Sequence, residues 1–229
     1  MSNVAVVGGH GQVARLLHPL LVEAGRTPVA LVRSDDQRAE LEELGAQVRL
    51  LDIERATGPA FADAFAGCDA VVFAAGGGPD GNIERKRTVD LEGSLKSIEG
   101  AHAAGITRFV QVSAIGVDEP LPEDVSPVWK AYVEAKRDAD ESLRVSALDW
   151  TILRPGRLTD DPGTGLVALG DDVSRAEIPR ADVAAVVAAV LDDESTHGRQ
   201  WNLVGGNVPV ADAIAAAVQD CSDPGSGVP

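Results

Sequence analysis

The sequence predicts an α/β protein: a single doubly wound domain on a mostly parallel sheet, with strand order 3-2-1-4-5-6-7. Two observations predict it. Short apolar runs alternate with helical patterns along the whole chain. Such alternation buries its apolar surface as a parallel sheet with helices on both faces. The first strand also runs into a glycine turn, Gly8-Gly9-His10-Gly11, that opens a helix.

Each element has its own signal. Val4–Val7 is apolar and mostly β-branched, as a strand buried on both faces requires. Gln12–Ala24 follows as an apolar-rich helix through Leu16, Leu17, Leu20 and Leu21. Pro28–Val32 and Gln47–Leu51 read as the second and third strands, with the helix Gln37–Leu44 between them. The helix Ala60–Ala66 leads to strand four, Ala70–Ala74, and a long helix, Ile83–Ala104, to strand five, Arg108–Val112. Val128–Val145 precedes strand six, Trp150–Leu153; Ala181–Asp192 precedes strand seven, Gln200–Leu203; Val210–Gln219 is a last helix. Right-handed crossovers leave few ways to connect these units. Three segments read as irregular, Gly76–Gly81, Ala114–Pro127 and Arg157–Ile178, and all follow strands, so they gather at the carboxyl edge of the sheet. The domain is expected to span residues 1–220. Residues 221–229, rich in Gly, Ser and Pro, are expected to be a disordered tail.

Composition narrows the function. The chain is 45% hydrophobic and 24% charged, ordinary for a soluble globular protein. Aromatics make up only 3%, so aliphatic side chains must fill most of the core. A formal charge of −16 argues against nucleic acid and anionic membranes as partners, because both need clustered Lys and Arg. Cys68 and Cys221 lie far apart, with no metal-ligand spacing; no metal is expected, and a reducing, cytoplasmic compartment is. No leader-like segment precedes Val4, and the apolar run Val183–Leu191 is too short to span a bilayer. His10, His18, His102 and His197 are scattered and read as surface or turn residues.

The glycine turn is a phosphate-site candidate. Gly8, Gly9, His10 and Gly11 let backbone approach a pyrophosphate, and Gln12 and Val13 open the helix whose free N–H groups attract it. Gly8, Gly11 and Ala14 give G-x-x-G-x-x-A, a spacing that also fits a plain tight turn. Strand two ends in Arg33-Ser34, where NAD enzymes usually carry an acid for the ribose hydroxyls. A guanidinium there suits a 2′-phosphate, and Ser34 adds a hydroxyl, so NADP is expected over NAD. Asp35 and Asp36 follow and oppose that preference. Asp52 is placed for the adenine amino group and Ile53 for the ring, while Ala74, Ala75 and Gly76 are small enough to let adenosine lie close. Tyr132 and Lys136 share one helix face at i,i+4 spacing, and Ser113, just past strand five, points toward the same crevice. A nearby ammonium would draw the Tyr132 phenol down from its ordinary pKa of about 10. Arg85-Lys86-Arg87 reads as a solvated face or an anion-attracting rim, and Asp138, Asp140 and Glu141 as a solvated helix face.

Five segments together resemble the short-chain dehydrogenase/reductase superfamily. They are Val7–Ala14, Ala103–Ser113, Tyr132–Lys136, Leu148–Gly156 and Ile178–Ala184. The chain is most similar to its small atypical members: NmrA-like proteins, biliverdin/flavin-reductase-like proteins and bacterial NAD(P)H-binding or "sugar epimerase" homologues. The resemblance implies a Rossmann-like fold. It also implies that Tyr132 is the general acid, that Lys136 holds the nicotinamide ribose and tunes Tyr132, and that Ser113 hydrogen-bonds the substrate oxygen. Pro155 and Leu158 would lie near the nicotinamide. Two departures stand out: the turn is not G-A-T/S-G, and Ala14 replaces the third glycine, loosening helix–strand packing.

The expected function is an NADP-dependent oxidoreductase, NAD remaining possible, that passes hydride between NADPH and a small carbonyl, quinone or flavin-like acceptor. A non-catalytic NAD(P)-binding redox sensor acting through a protein partner is the alternative. A nucleotide-sugar epimerase or dehydratase ranks third, because only residues 205–229 remain for a substrate domain. The sequence leaves monomer and small homo-oligomer equally open.

Overall fold

The computed structural model describes residues 2–78 and 80–220; the expected disordered tail lies outside the described residues. Six parallel strands form the sheet's first part: β1 (Asn3–Val7), β2 (Thr27–Val32), β3 (Gln47–Leu50), β4 (Ala70–Phe73), β5 (Arg108–Val112) and β6 (Asp149–Pro155). β7 (Arg157–Thr159) pairs with β9 (Glu177–Pro179) in a small parallel ribbon, while β8 (Leu166–Gly170), β10 (Arg199–Gly205) and β11 (Val208–Pro209) extend the main sheet. The main order is β11-β8-β10-β6-β5-β4-β1-β2-β3. From β3 to β10 this is the anticipated 3-2-1-4-5-6-7.

The far edge departs from expectation. β8 joins β10 antiparallel, and β11 joins β8. Arg157–Ile178 is therefore not irregular: β7, β8 and the start of β9 lie in it. β7 and β9 have three residues each, mixed in polarity, and do not read as buried parallel strands, whereas β8 is apolar throughout. β8 takes its pairing from the edge that β10 leaves open, while β7 and β9 pair with each other.

The helices are α1 (Gln12–Glu23), α2 (Arg38–Glu43), α3 (Gly58–Ala64), α4 (Ile83–Arg85), α5 (Glu92–Ala103), α6 (Pro127–Arg144), α7 (Arg180–Leu191) and α8 (Val210–Asp220). The long helix expected over Ile83–Ala104 is interrupted by a π-helical turn at Lys86–Leu91, a widening often found at functional sites. α6 starts sharply: Pro127 occupies its first turn, and the Ser126 hydroxyl accepts the Trp129 N–H at 3.2 Å.

Alternation along β1 divides the core. Val4 and Val6 face α1 and α7; Ala5 and Val7 face α3 and α5. All four phenylalanines, Phe61, Phe65, Phe73 and Phe109, lie in the second layer, while the first is aliphatic around Trp201. Ala14 is fully buried in the first layer, so the absent third glycine leaves no loose joint. Buried Arg108 at the start of β5 ties the layers to the end of α7. It donates to the Val190 and Leu191 carbonyls, to Asp149 O at 2.8 Å, and to Thr151 and Thr196 hydroxyls at 2.9 and 3.0 Å. A cation on the last carbonyls of a helix also meets its negative dipole end. Among the described residues, no helix is long and apolar enough to cross a membrane, and no acidic, His and Cys cluster could hold a metal.

Candidate active site

The glycine turn is pressed against both neighbouring strands. Gly8 has φ +79, and a Cβ there would stand 2.8 Å from Ala75 Cα. A Cβ on Gly9 would stand 2.7 Å from Ala30 Cβ. The turn is pinned by Gly9 N–H donating to Leu31 O at 3.0 Å and Gly11 N–H to Gly8 O at 2.8 Å. From below, His18 on α1 donates through Nε2 to the Gly9 carbonyl at 2.7 Å. His18 is fully buried, contrary to the surface or turn role expected of it, and burial holds its imidazole below its ordinary value, so it stays neutral. No residue pattern signals this brace, because its partner is a backbone carbonyl.

A crevice of about 240 Å³ opens beside the turn. Of the residues anticipated for cofactor binding, Gly8, His10, Gly11, Arg33, Asp52, Ile53, Ala74, Ala75 and Gly76 line it. Gln37, Glu54 and Val89 line it too, unforeseen, and so does Arg85, one of the three cations read as a solvated face or an anion-attracting rim. Arg33 is exposed on the rim, and no described residue pairs with it. Its acidic neighbours are engaged elsewhere: Asp35 accepts from Arg38 at 2.7 Å, and Asp36 accepts from Ser34 at 3.1 Å. Ser34 is thus partly committed to Asp36. His10 turns to Glu40 at 2.8 Å. Asp52 caps its own turn through the Glu54 N–H at 3.0 Å. Gly9 and Val13 pack inward, and Gln12 lines a separate crevice with Arg15 and Thr159.

Ser113, Tyr132 and Lys136 stand on the other side of Ala75, whose carbonyl accepts from Lys136 Nζ at 3.4 Å. Lys136 also donates to Val112 O at 3.2 Å and lies 3.3 Å from Asp90 Oδ1, a fully buried carboxylate on the π-helical turn. The other Asp90 oxygen accepts the Gly77 N–H at 2.8 Å, tying the glycine-rich loop to the same point. Tyr132 is half-buried, and no described residue hydrogen-bonds its hydroxyl. Its ring packs on half-exposed Trp129, centroids 5.3 Å apart, with Lys86 Nζ 5.9 Å above. Burial pushes the phenol up, and the pull of Lys136 does not overcome it, so the expected lowering is not found. Pro155 is buried at the end of β6, and Leu158 on β7 packs against the first core layer.

Ser113 is oriented by a buried network. Its hydroxyl donates to Asp140 Oδ2 at 2.8 Å, and Gln111 Nε2 donates to Asp140 Oδ1 at 2.7 Å. Arg154 Nε reaches Asp140 at 2.8 Å, and Arg154 Nη1 reaches Asp118 at 2.7 Å. Asp140 is therefore fully buried, not part of a solvated face, whereas Asp138 and Glu141 are exposed. Lys86, expected at a surface or rim, is buried too, its ammonium bonded to the Gly78 carbonyl. Asp90 went unread and Asp140 was read as solvated because a lone Asp in a polar helix carries no signal until packing supplies its cation.

Residues 8–194 match the model of a family described as NAD(P)H-binding. A Bacillus subtilis protein named "uncharacterized sugar epimerase YhfK" is 39% identical over 93% of this chain and 98% of its own length. A Bacillus halodurans structure, provisionally described as an NAD-dependent epimerase/dehydratase, superposes with a TM-score of 0.87 at 38% identity, covering 94% of this chain and all of that one. The oxidoreductase ylbE from Lactococcus lactis superposes at 0.82 with 25% identity, covering 95% and 97%. At greater distance, a Streptomyces griseus (4-alkanoyl-5-oxo-2,5-dihydrofuran-3-yl)methyl phosphate reductase is 28% identical over 88% of this chain and 67% of its own.

Proposed function

The chain belongs to the NAD(P)H-binding family, and we propose that it is an NADPH-dependent reductase of a small carbonyl, quinone or flavin-like acceptor. The observation that carries the cofactor half is Arg33: an unpaired guanidinium on the crevice rim, with both following acids turned to other partners. The residues fit a dinucleotide. Gly8, Gly11 and the start of α1 would take the pyrophosphate, Asp52 and Ile53 the adenine, and Arg33 the 2′-phosphate. Pro155 and Leu158 would flank the nicotinamide end. When bound, NADPH supplies a hydride. Tyr132, with an uncommitted hydroxyl, would supply the proton, and Ser113, oriented by Asp140, would position the acceptor.

The names of the Bacillus relatives favour a second reading, sugar epimerisation or dehydration. Those reactions begin by taking a proton from a sugar hydroxyl, which asks Tyr132 to be a base. Burial that keeps its proton on works against that role.

The test pairs cofactor titrations with turnover. NADPH should bind at least tenfold tighter than NADH, and Arg33→Ala should lose about tenfold or more for NADPH alone, the worth of charge-assisted bonds to a phosphate. NADPH oxidation against aldehydes, ketones, quinones and flavins, with Tyr132→Phe alongside, then names the acceptor class. Equal affinity for both cofactors refutes the NADP assignment. Tight binding without any turnover refutes the enzyme and favours the sensor.

A further inference from the structure

Asp140 is buried among donors. Arg154 has hydrogens to give and no lone pair to accept with; its Nε donates to Oδ2 at 2.8 Å, and its Nη2 stands equally near. Gln111 turns its amide N–H to Oδ1 at 2.7 Å, because its carbonyl already accepts the Ser94 hydroxyl at 2.6 Å. Burial pushes the Asp140 carboxyl up, and Arg154, Ser113 and Gln111 pull it down. A proton on Oδ2 would meet the guanidinium, and a proton on Oδ1 would meet the Gln111 N–H. Asp140 is therefore the carboxylate, and Ser113 donates to it at 2.8 Å. A serine hydroxyl has one hydrogen. With that hydrogen spent on Asp140, the Ser113 oxygen has only lone pairs left, and no described residue donates to them. A buried acceptor left open in this way discriminates: a ligand hydrogen satisfies it, and a ligand lone pair does not.

We propose that Asp140 fixes Ser113 as a hydrogen-bond acceptor, so that the site selects substrates carrying an O–H or N–H next to the carbonyl that is reduced, as α-hydroxy ketones and cyclic imides do. The proposal rests on the reductase reading for its chemistry. The carbonyl carbon takes a hydride, with its electron pair, from the reduced dinucleotide. The carbonyl oxygen takes the Tyr132 proton, and Ser113 holds the neighbouring O–H or N–H and gives up nothing. A substrate oxygen bonded to Ser113 is then a hydroxyl, not the bare carbonyl. Simple aldehydes and unsubstituted quinones have no such hydrogen and would set their own lone pairs against those of Ser113. Asp140 and Arg154 act through Ser113 and are positioning residues.

Three matched ketones read the hydrogen directly. Phenacyl alcohol carries an O–H beside its carbonyl, propiophenone a methyl group in that place, and phenacyl methyl ether an oxygen without a hydrogen. Calorimetric titration of the protein saturated with NADP+, which reduces none of them, measures binding apart from turnover. Phenacyl alcohol should bind about tenfold or more tighter than propiophenone, and the ether no better than propiophenone. Ser113→Ala should abolish the preference and Ser113→Thr should keep it. Asp140→Asn, whose amide can give Ser113 an N–H and free its hydrogen, should narrow the gap between alcohol and ether. The infrared spectrum of the free protein at neutral pH supplies a measurement without ligand: Asp140→Asn should remove a carboxylate band and no neutral-carboxyl band. Equal affinities, an ether that binds as well as the alcohol, an alcohol that does not bind, or a neutral-carboxyl band lost in Asp140→Asn overturns the proposal. If a variant does not fold, the three wild-type affinities decide alone. NADPH oxidation with phenacyl alcohol tests the reductase reading separately: the expected preference in binding without turnover refutes the reductase and leaves the role of Ser113 standing.

Discussion

Gly9→Ala adds one methyl group where the structure has no room for it. The new Cβ would stand 2.7 Å from Ala30 Cβ, 2.8 Å from Ala30 Cα and 3.0 Å from Leu31 N. Carbon atoms prefer about 3.5–4.0 Å, so the turn must retreat by about 1 Å. The obstructing atoms cannot swing aside, because they belong to the buried backbone and Cβ of β2 in mid-sheet. Retreat stretches the Gly9 N–H bond to Leu31 O and the His18 bond to Gly9 O. Overpacking costs about 1–3 kcal/mol and each of the two weakened bonds about 0.5, so the total is about 2–4 kcal/mol. For a domain of this size that lowers Tm by about 4–16 °C. The same retreat moves the N–H groups facing the crevice, so NADPH affinity should fall by more than about tenfold. Thermal melts and a fluorescence titration with NADPH read the two effects, with His10→Ala, a half-exposed rim change, as the comparison. A Gly9→Ala protein that melts and binds as the wild type does would refute the close-packed turn.

Other consequences can be measured on the same protein. Arg108→Met strands the terminal carbonyls of α7 and should cost about 2–4 kcal/mol in urea unfolding, while leaving NADPH affinity unchanged because Arg108 sits at the opposite edge of the sheet. His18 has a folded pKa below its unfolded one; its contribution is whole above about pH 6.5 and is lost as pH falls below that, by up to about 1.4 kcal/mol per unit. Unfolding free energies between pH 7 and 5 should therefore fall more steeply in the wild type than in His18→Gln; parallel slopes would contradict a buried neutral His18. NADPH at about 100 times its Kd should stabilise the protein by about 2.7 kcal/mol, which a melt would show as a rise of about 5–11 °C.

The sequence by itself determined the strand order from β3 to β10 and the residues at the crevice. The reason is that both depend on local pattern. A buried parallel strand must be an apolar run, and a chain that passes between strand ends under a phosphate needs glycine at Gly8 and Gly9. Position in the alternation then placed Arg33, Asp52, Ala74 and Ser113 at one edge without any knowledge of contacts. What only tertiary structure decided is pairing across distance. β8 is a strand because β10 offers an open edge. His18 is a brace because Gly9 lies above it, and Asp140 is buried because Gln111, Ser113 and Arg154 converge on it from β5, its end and β6. Asp90 matters because the π-helical turn carries it to Lys136, on a helix 46 residues further along the chain (136 − 90). A charge shows in the sequence as a letter, but whether it is solvated, paired or spent depends on which groups the fold brings within a few ångströms, where low dielectric makes their interaction decide the chemistry.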